Sequence, residues 1–362
     1  MFWDCSVLRS IEKPIRIRFE HTRYPHWGGH SGYVLFVRQL DPLRFRSTVH
    51  ASSDRDVDLP RWLKPARPWL TRLVARADMS WYKMGDLHAE IVAIAAGMAG
   101  RFDIVHFLDG EHSGRFLPRF LKRAGRTRIK TVATFHQPPE LAKHLLHAES
   151  LGWFDQIVLV SPSQLSFFSE HVEEERLNVI LHGIDTDFFC PASRSNDSDR
   201  VRCITVGHWL RDWQIFAAVA GAMPDVQFDV VANRNLEIEN LPNVQVHRSI
   251  DDLELANLYR AADILFLPLL QSTANNALLE GMASGLAVVT TDLESVRAYL
   301  PEGDGLLLRG QAEDFVHAIR SLQADPVLRQ ELRRKARVRA EALAWPRLVP
   351  CYEALYSKIA KS

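Results

Sequence analysis

Residues 271–280 hold the chain's densest set of groups suited to binding an anion. The polar loop Gln271-Ser-Thr-Ala-Asn-Asn276 follows an apolar run ending at Pro268 and precedes a helix-forming stretch that carries Glu280 and stops at Gly285. A strand that enters a helix through such a loop leaves backbone N–H groups unpaired at the helix start. Those groups, with the positive end of the helix dipole, favour a phosphate. Glu280 stands about one turn inside and can accept hydrogen bonds from a diol. Ser272, Thr273 and Asn275 are equally suited to simple capping of that helix, and both readings stand at this point. Metal chemistry is not expected: His21, His26 and His30, and His144 and His147, lack carboxylates at ligand spacing.

Strands must deliver such loops, and the pattern supplies them. Residues 15–19 alternate with period two. Residues 103–108, 130–135 and 156–160 are short apolar runs that read as buried strands. Helical stretches are expected at 33–40, 86–99, 113–124, 140–150 and 163–170. After a Ser/Asp/Asn-rich segment the pattern restarts, with strands expected at 201–206, 227–232, 244–247, 263–267, 286–290 and 305–308 and helices between them. The tail, 326–343 and 346–360, is helical and amphipathic. Alternating strands and helices predict an α/β protein with parallel sheets. The expected division is a first domain over 1–190, a linker over 191–200, a second domain over 201–343 and a final segment over 344–362.

Composition agrees. The chain has 362 residues, 47% hydrophobic and 24% charged, which fits about two globular domains and excludes a disordered chain. No run reaches the ~18 apolar residues of a membrane span. The N-terminus has no apolar signal core. Cys5, Cys190, Cys203 and Cys351 are scattered with no CxxC pair, which reads as thiols in a reducing cytoplasm. Charge is uneven: residues 1–145 hold 24 basic and 14 acidic residues, and residues 146–362 hold 20 and 30. The two halves should therefore meet different partners.

The segment 262–291 resembles the C-terminal signature of retaining, family 4 type glycosyltransferases. Further pieces match that family in order. Trp27-Gly-Gly-His30 resembles its N-terminal GG loop, and Thr134-Phe-His136 its strand-end histidine. Residues 179–189 resemble the stretch before its interdomain linker, and Val206-Gly-His-Trp-Leu-Arg211 its phosphate-contacting segment. Ala344-Trp345, Tyr352 and Leu355-Tyr356 resemble its closing helix. The resemblance implies a GT-B fold: two Rossmann-like domains facing each other across a cleft, the first binding the acceptor and the second a nucleotide sugar, with a C-terminal helix crossing back to the first domain.

It also implies roles. Glu280 would hold the donor ribose, Arg211 the pyrophosphate, with His208 in place of the family's usual arginine. Gly28 and Gly29 would let backbone approach phosphate and acceptor, and His136 would sit beside the transferred sugar. Ser249 and Ile250 would meet the nucleobase. Ser272, Thr273, Ala274, Asn275 and Asn276 would hold sugar and phosphate. Ser272 is a departure, because the family has its first glutamate eight residues before the second. The implied activity is retaining transfer from a UDP- or GDP-sugar to a saccharide or lipid-linked acceptor in cell-surface polysaccharide or glycolipid synthesis, with no metal and no tightly bound cofactor. The alternative is a non-catalytic transferase-like scaffold, or a protein that binds nucleotide sugars without turnover. A nicotinamide oxidoreductase is disfavoured, since Gly28-Gly-His-Ser-Gly32 is not GxGxxG.

Two basic segments add an expected partner. Residues 61–83 carry six basic residues and three tryptophans, and residues 115–130 carry seven basic residues and no acid. Such stretches suit an anionic membrane surface, giving a cytoplasmic protein peripheral on the inner face of the cytoplasmic membrane. They equally suit a solvated helix face with some core tryptophan. Nucleic acid is not an expected partner.

Overall fold

The structure is a computed structural model describing residues 13–23, 29–30, 32–53, 61–125, 128–192 and 200–361. Gly28, residues 193–199 of the expected linker and residues 126–127 of the second basic segment lie outside the described residues.

Two parallel six-stranded sheets form the frame. The first contains β1 (Ile15–Arg23), β2 (Phe45–Ser53), β3 (Ile104–Phe107), β4 (Lys130–Phe135), β5 (Gln156–Leu159) and β6 (Leu177–Val179), in the order β2-β1-β3-β4-β5-β6. The second contains β7 (Arg202–Val206), β8 (Gln227–Val231), β9 (Val244–His247), β10 (Ile264–Leu267), β11 (Ala287–Thr291) and β12 (Leu306–Leu308), in the order β12-β11-β10-β7-β8-β9. The strand order therefore reverses between β1 and β3, and again between β7 and β10. Crevices at such switch points, beyond the carboxyl ends of the strands, are where open α/β sheets bind ligands.

Side chains alternate across each sheet and feed a core on either face. In the first sheet, Val105, Phe107, Ala133 and Phe135 pack under helix Met84–Met98 and its neighbours. Ile104, Val132 and Val158 pack on the other face with Phe36, Tyr352 and Tyr356. Helix Trp345–Ala360 thus belongs to the first sheet's core although it follows the second sheet in sequence. Tyr356 is locked there by a 2.7 Å hydrogen bond with His106 Nδ1. The chain crosses between the halves twice at one place, where Ile184 N donates to Leu343 O and Trp345 N to Ile184 O.

The crossover is tightly packed. A Cβ at Gly183 would run into the ring of Trp345, which is 1% exposed. Gly183→Ala is expected to cost about 1–3 kcal/mol, the usual range for overpacking a close-packed core. Urea unfolding measures this, and an unchanged midpoint would show that the crossover can relax.

Several local expectations need correction. The helix expected over 33–40 is a single turn, Val34–Val37, and the one expected over 113–124 begins at Leu117. Strands β2 and β6 were not anticipated. In the basic segment, Arg115 is not a surface charge: it is buried and donates from Nε to Ala77 O at 2.7 Å. Among the described residues no helix is long and apolar enough to cross a membrane.

Candidate active site

A cleft of about 540 Å³ lies between the two sheets, at both switch points. The loops after β3 and β4 supply Asp109, Glu111, His136 and Gln137, and the loops after β7 and β10 supply 206–211 and 271–277.

Arg211 is its central cation. β7 ends at Val206, and the chain then curls back through Gly207 (φ 80°) and Leu210 (φ 56°). The first of these is glycine because a left-handed backbone is costly for other residues. The curl folds the Arg211 guanidinium against its own loop. Nε and Nη2 donate to Val206 O at 3.2 and 2.6 Å, Nη1 to Trp209 O at 3.0 Å, and Nη2 to Asn275 Oδ1 at 3.3 Å. All of these acceptors are neutral, and among the described residues no carboxylate forms an ion pair with Arg211. Burial pulls its pKa down to about 10, opposed by Tyr259 and Glu280. It therefore stays charged at neutral pH, with Glu280 acting on it through space but no carboxylate bonded to it. Burying a cation without a bonded counter-ion is costly, and an anion in the cleft offsets that cost.

The helix Asn276–Ala283 faces it. Asn275 caps the helix, accepting from Leu278 N at 3.3 Å. The N–H groups of Asn276 and Ala277 precede any intrahelical acceptor and suit an anion. Capping and anion binding are thus compatible here, since Asn275 both caps the helix and steadies Arg211. Glu280, 3% exposed, lines the cleft and accepts from Tyr259 OH at 2.9 Å. The amide oxygen of Gln271, also lining the cleft, is buried without a hydrogen-bond partner.

The opposite wall is built on β3 and β4. His136 Nε2 donates to Leu108 O at 2.7 Å, which places a proton on Nε2 and orients the ring. Glu111 holds the backbone, accepting from His136 N at 2.5 Å and Gln137 N at 2.7 Å. Burial raises the Glu111 pKa against the influence of His136 and these N–H groups. Asp109 is also buried, but hydrogen bonds from His21 and Thr22 N outweigh desolvation and hold it below its usual range. The halves touch directly where Thr273 Oγ1 donates to His136 O.

Two models of known families match the sequence over most of its length: Glycosyltransferase Family 4 over residues 27–188 and Glycosyl transferases group 1 over residues 209–325. The chain belongs to the family 4, group 1 glycosyltransferases. The D-inositol 3-phosphate glycosyltransferase of Paenarthrobacter aurescens is 24% identical over 222 residues, covering 53% of this chain and 54% of that protein. Its counterpart in an Arthrobacter species is 31% identical over 222 residues, 53% of each. The chain thus matches these curated relatives over about half their length. Among solved structures, a sucrose-phosphate synthase from Thermosynechococcus elongatus superposes with a TM-score of 0.73 at 17% identity, over 95% of this chain and 100% of that one. Anabaena Alr3699/HepE in complex with UDP-glucose gives 0.66 at 14% identity, over 95% and 100%. At these identities the structures establish the GT-B fold.

In this family 4 chain the cleft gathers His136, His208, Arg211, Ile250, Ser272, Thr273, Ala274, Asn275, Asn276 and Glu280. It does not gather Gly29 or Ser249. The N–H of Gly29 points to Asp252 Oδ2 at 2.6 Å, so it is tied to the second domain rather than open to a phosphate. Ser249 is exposed and makes a turn (φ 53°) held by Asn233 Oδ1 at 2.8 Å. Its neighbour Ile250 is the one that reaches the cleft. Ser272 donates to Thr273 O at 3.3 Å and is 8% exposed, so no carboxylate takes the place of the family's first glutamate there. Among the described residues no group of three or more His, Cys, Asp or Glu side chains could hold a metal ion.

Sequence reasoning missed Asp109, Glu111, Gln137 and the aromatic pair Trp81 and Trp209. Trp209 is half exposed, 6.2 Å from the Trp81 ring, and donates from Nε1 to Gln137 Oε1 at 3.4 Å across the cleft. The position of Asp109 and Glu111, just beyond the carboxyl end of a buried strand, was the signal available for those two.

Proposed function

We propose that this chain is a retaining glycosyltransferase, moving a sugar from a UDP- or GDP-sugar to a saccharide or lipid-linked acceptor used in cell-surface polysaccharide or glycolipid synthesis. The observation that carries the reading is the buried Arg211, bonded only to neutral acceptors, beside the amino end of the Glu280 helix. A diphosphate fits that pair of features. The UDP and UDP-glucose bound to the Anabaena protein favour a UDP-sugar.

In this mechanism Glu280 accepts hydrogen bonds from the ribose diol. Arg211 and the N–H groups of Asn276 and Ala277 hold the pyrophosphate and stabilise the charge that grows as the bond from sugar C1 to phosphate oxygen breaks. The acceptor hydroxyl oxygen bonds to C1 on the face the phosphate leaves, and its proton passes to the departing phosphate oxygen. No protein base and no metal is required. His136 Nδ1 accepts from a hydroxyl of the transferred sugar and positions it. Trp69, 59% exposed, stands with exposed Arg72 on helix Arg67–Ala75, and exposed Arg76 caps its end. This surface suits an anionic membrane that carries the acceptor.

Thermal shift against UDP, GDP, ADP and their sugars tests the reading. A ligand at a hundred times its Kd stabilises by about 2.7 kcal/mol, and a uridine nucleotide is expected to give the largest rise. A flat response across the panel would favour the non-catalytic scaffold, with Ser272 as its mark.

A further inference from the structure

The first sheet carries charge on a face that a helix covers. β1 sends Ile17 and Phe19 into the core shared with helix Trp345–Ala360, so the alternating Arg16, Arg18 and Glu20 stand on the other face. β2 pairs in register, placing Arg46 opposite Arg16 and Thr48 opposite Arg18. Like charges directly opposite on neighbouring strands repel. Helix Met84–Met98 passes over this face, and it and the following turn present Ala95, Ala96 and Ala99 where larger side chains would fill the space. A cavity of about 740 Å³ results, with Arg101 and Phe102 completing its wall. It lies at the starts of β1, β2 and β3, whereas the cleft lies beyond strand ends, so the two are separate.

The charges in this cavity do not balance. Asp103 takes Arg16 through bonds of 3.0 and 2.6 Å, and Glu20 takes Arg18 Nε at 2.5 Å. Arg18 Nη2 is buried with no hydrogen-bond partner. Arg46 and Arg101 are exposed at the rim and have no hydrogen bond or ion pair among the described residues. Four guanidinium groups thus share two carboxylates around an alanine-lined space.

We propose that this cavity binds a phosphate monoester with an apolar body. Arg18, Arg46 and Arg101 hold the phosphate, and the alanines of helix Met84–Met98 and the turn after it receive the apolar part. A monoester carries roughly −1.5 to −2 at neutral pH, which matches the excess of two cations. Guanidinium forks suit its oxygens. The volume lies within the ~300–1,000 Å³ of small-molecule sites and is far larger than a bare ion needs. A soluble phosphate ester and a lipid phosphate headgroup share this chemistry.

Calorimetric titration of the full chain with octyl phosphate, inorganic phosphate and octanol tests the proposal. Octyl phosphate is expected to bind at least tenfold more tightly than either of the others. The Arg46→Ala/Arg101→Ala double variant, altered only at exposed and unpartnered side chains, should weaken it at least tenfold. So should Ala95→Leu, which fills the space. Both variants should keep the wild-type response to UDP, which separates this site from the cleft. Cosedimentation with phosphatidylcholine vesicles containing phosphatidic acid, lost in the double variant, identifies the lipid source; titration by the ester alone, without cosedimentation, identifies the soluble one. Equal affinity for inorganic phosphate overturns the apolar part. Unchanged octyl phosphate binding in the variants, or binding of neither ester nor vesicles, overturns the site.

Discussion

Arg211→Ala is expected to lower kcat/KM for sugar transfer by about two to three orders of magnitude, the scale for losing one preorganised donor to a developing charge. Arg211→Lys should recover little. A single ammonium cannot reach Val206 O, Trp209 O and Asn275 Oδ1 together, and it lacks the planar fork that grips phosphate. Stability gives a second readout. Burial lowers the Arg211 pKa to about 10, so charged Arg211 opposes folding at neutral pH by roughly 3 kcal/mol. The sign follows from a base whose folded pKa lies below its unfolded one: the cost is fully present below about pH 10 and recedes as pH rises towards the unfolded value. Alanine removes this cost but leaves two loop carbonyls without donors, at about 1–3 kcal/mol each. The two effects are similar in size and opposite in sign, so the ligand-free variant should melt near the wild type. The UDP-induced shift should disappear. A variant that melts normally and keeps the full UDP shift would falsify the assignment of Arg211 to the diphosphate.

The two sheets were not equally legible. Most strands of the second sheet are short, largely apolar runs, β9 alternates apolar and polar residues, and each was expected close to where it stands. In the first sheet β2 was missed because Phe45, Ser47, Val49 and Ala51 alternate with Arg46, Thr48, His50 and Ser52. That is a strand pattern, but a weakly apolar one. An edge strand that faces a charged, partly open cavity needs little apolar surface on either side. β6 has three residues on the opposite edge and is half exposed, too short for periodicity to show. The same charge that hid β2 from a hydrophobic pattern marks the arginine-lined cavity beneath it.

The second-sheet wall of the candidate site was legible because one continuous segment encodes it. Strand, loop, cap and Glu280 follow one another within 264–280, so local spacing carries the geometry. The first-sheet wall draws single residues from separate loops. Trp81, Glu111 and Gln137 come together only once β3 and β4 are placed and the second sheet is docked. Gly29 shows the limit of a local argument. Its missing Cβ did suggest a close approach, but the group that approaches is Asp252 from the other half, which no local pattern predicts.

Glu280→Gln is expected to lower kcat/KM about a hundredfold, chiefly through a higher donor KM. The amide can still accept from Tyr259 OH, now held at 2.9 Å, so the fold should survive. Glu280→Ala is a poorer test of function, because the buried Tyr259 hydroxyl would be left with only Ala277 O at 3.5 Å, at about 1–3 kcal/mol of stability. The decisive comparison is between UDP and 2′-deoxy-UDP. A carboxylate accepting from both ribose hydroxyls makes charge-assisted bonds worth about 1.5–3 kcal/mol each, so the wild type should bind UDP at least tenfold more tightly. In Glu280→Gln the charge is gone and the amide nitrogen cannot accept, so the preference should fall to about threefold or less. Tyr259→Phe leaves the charge in place and removes only the hydroxyl that orients it. That variant should keep part of the preference while raising the donor KM. A Glu280→Gln protein that discriminates as the wild type does would place the ribose elsewhere in the cleft.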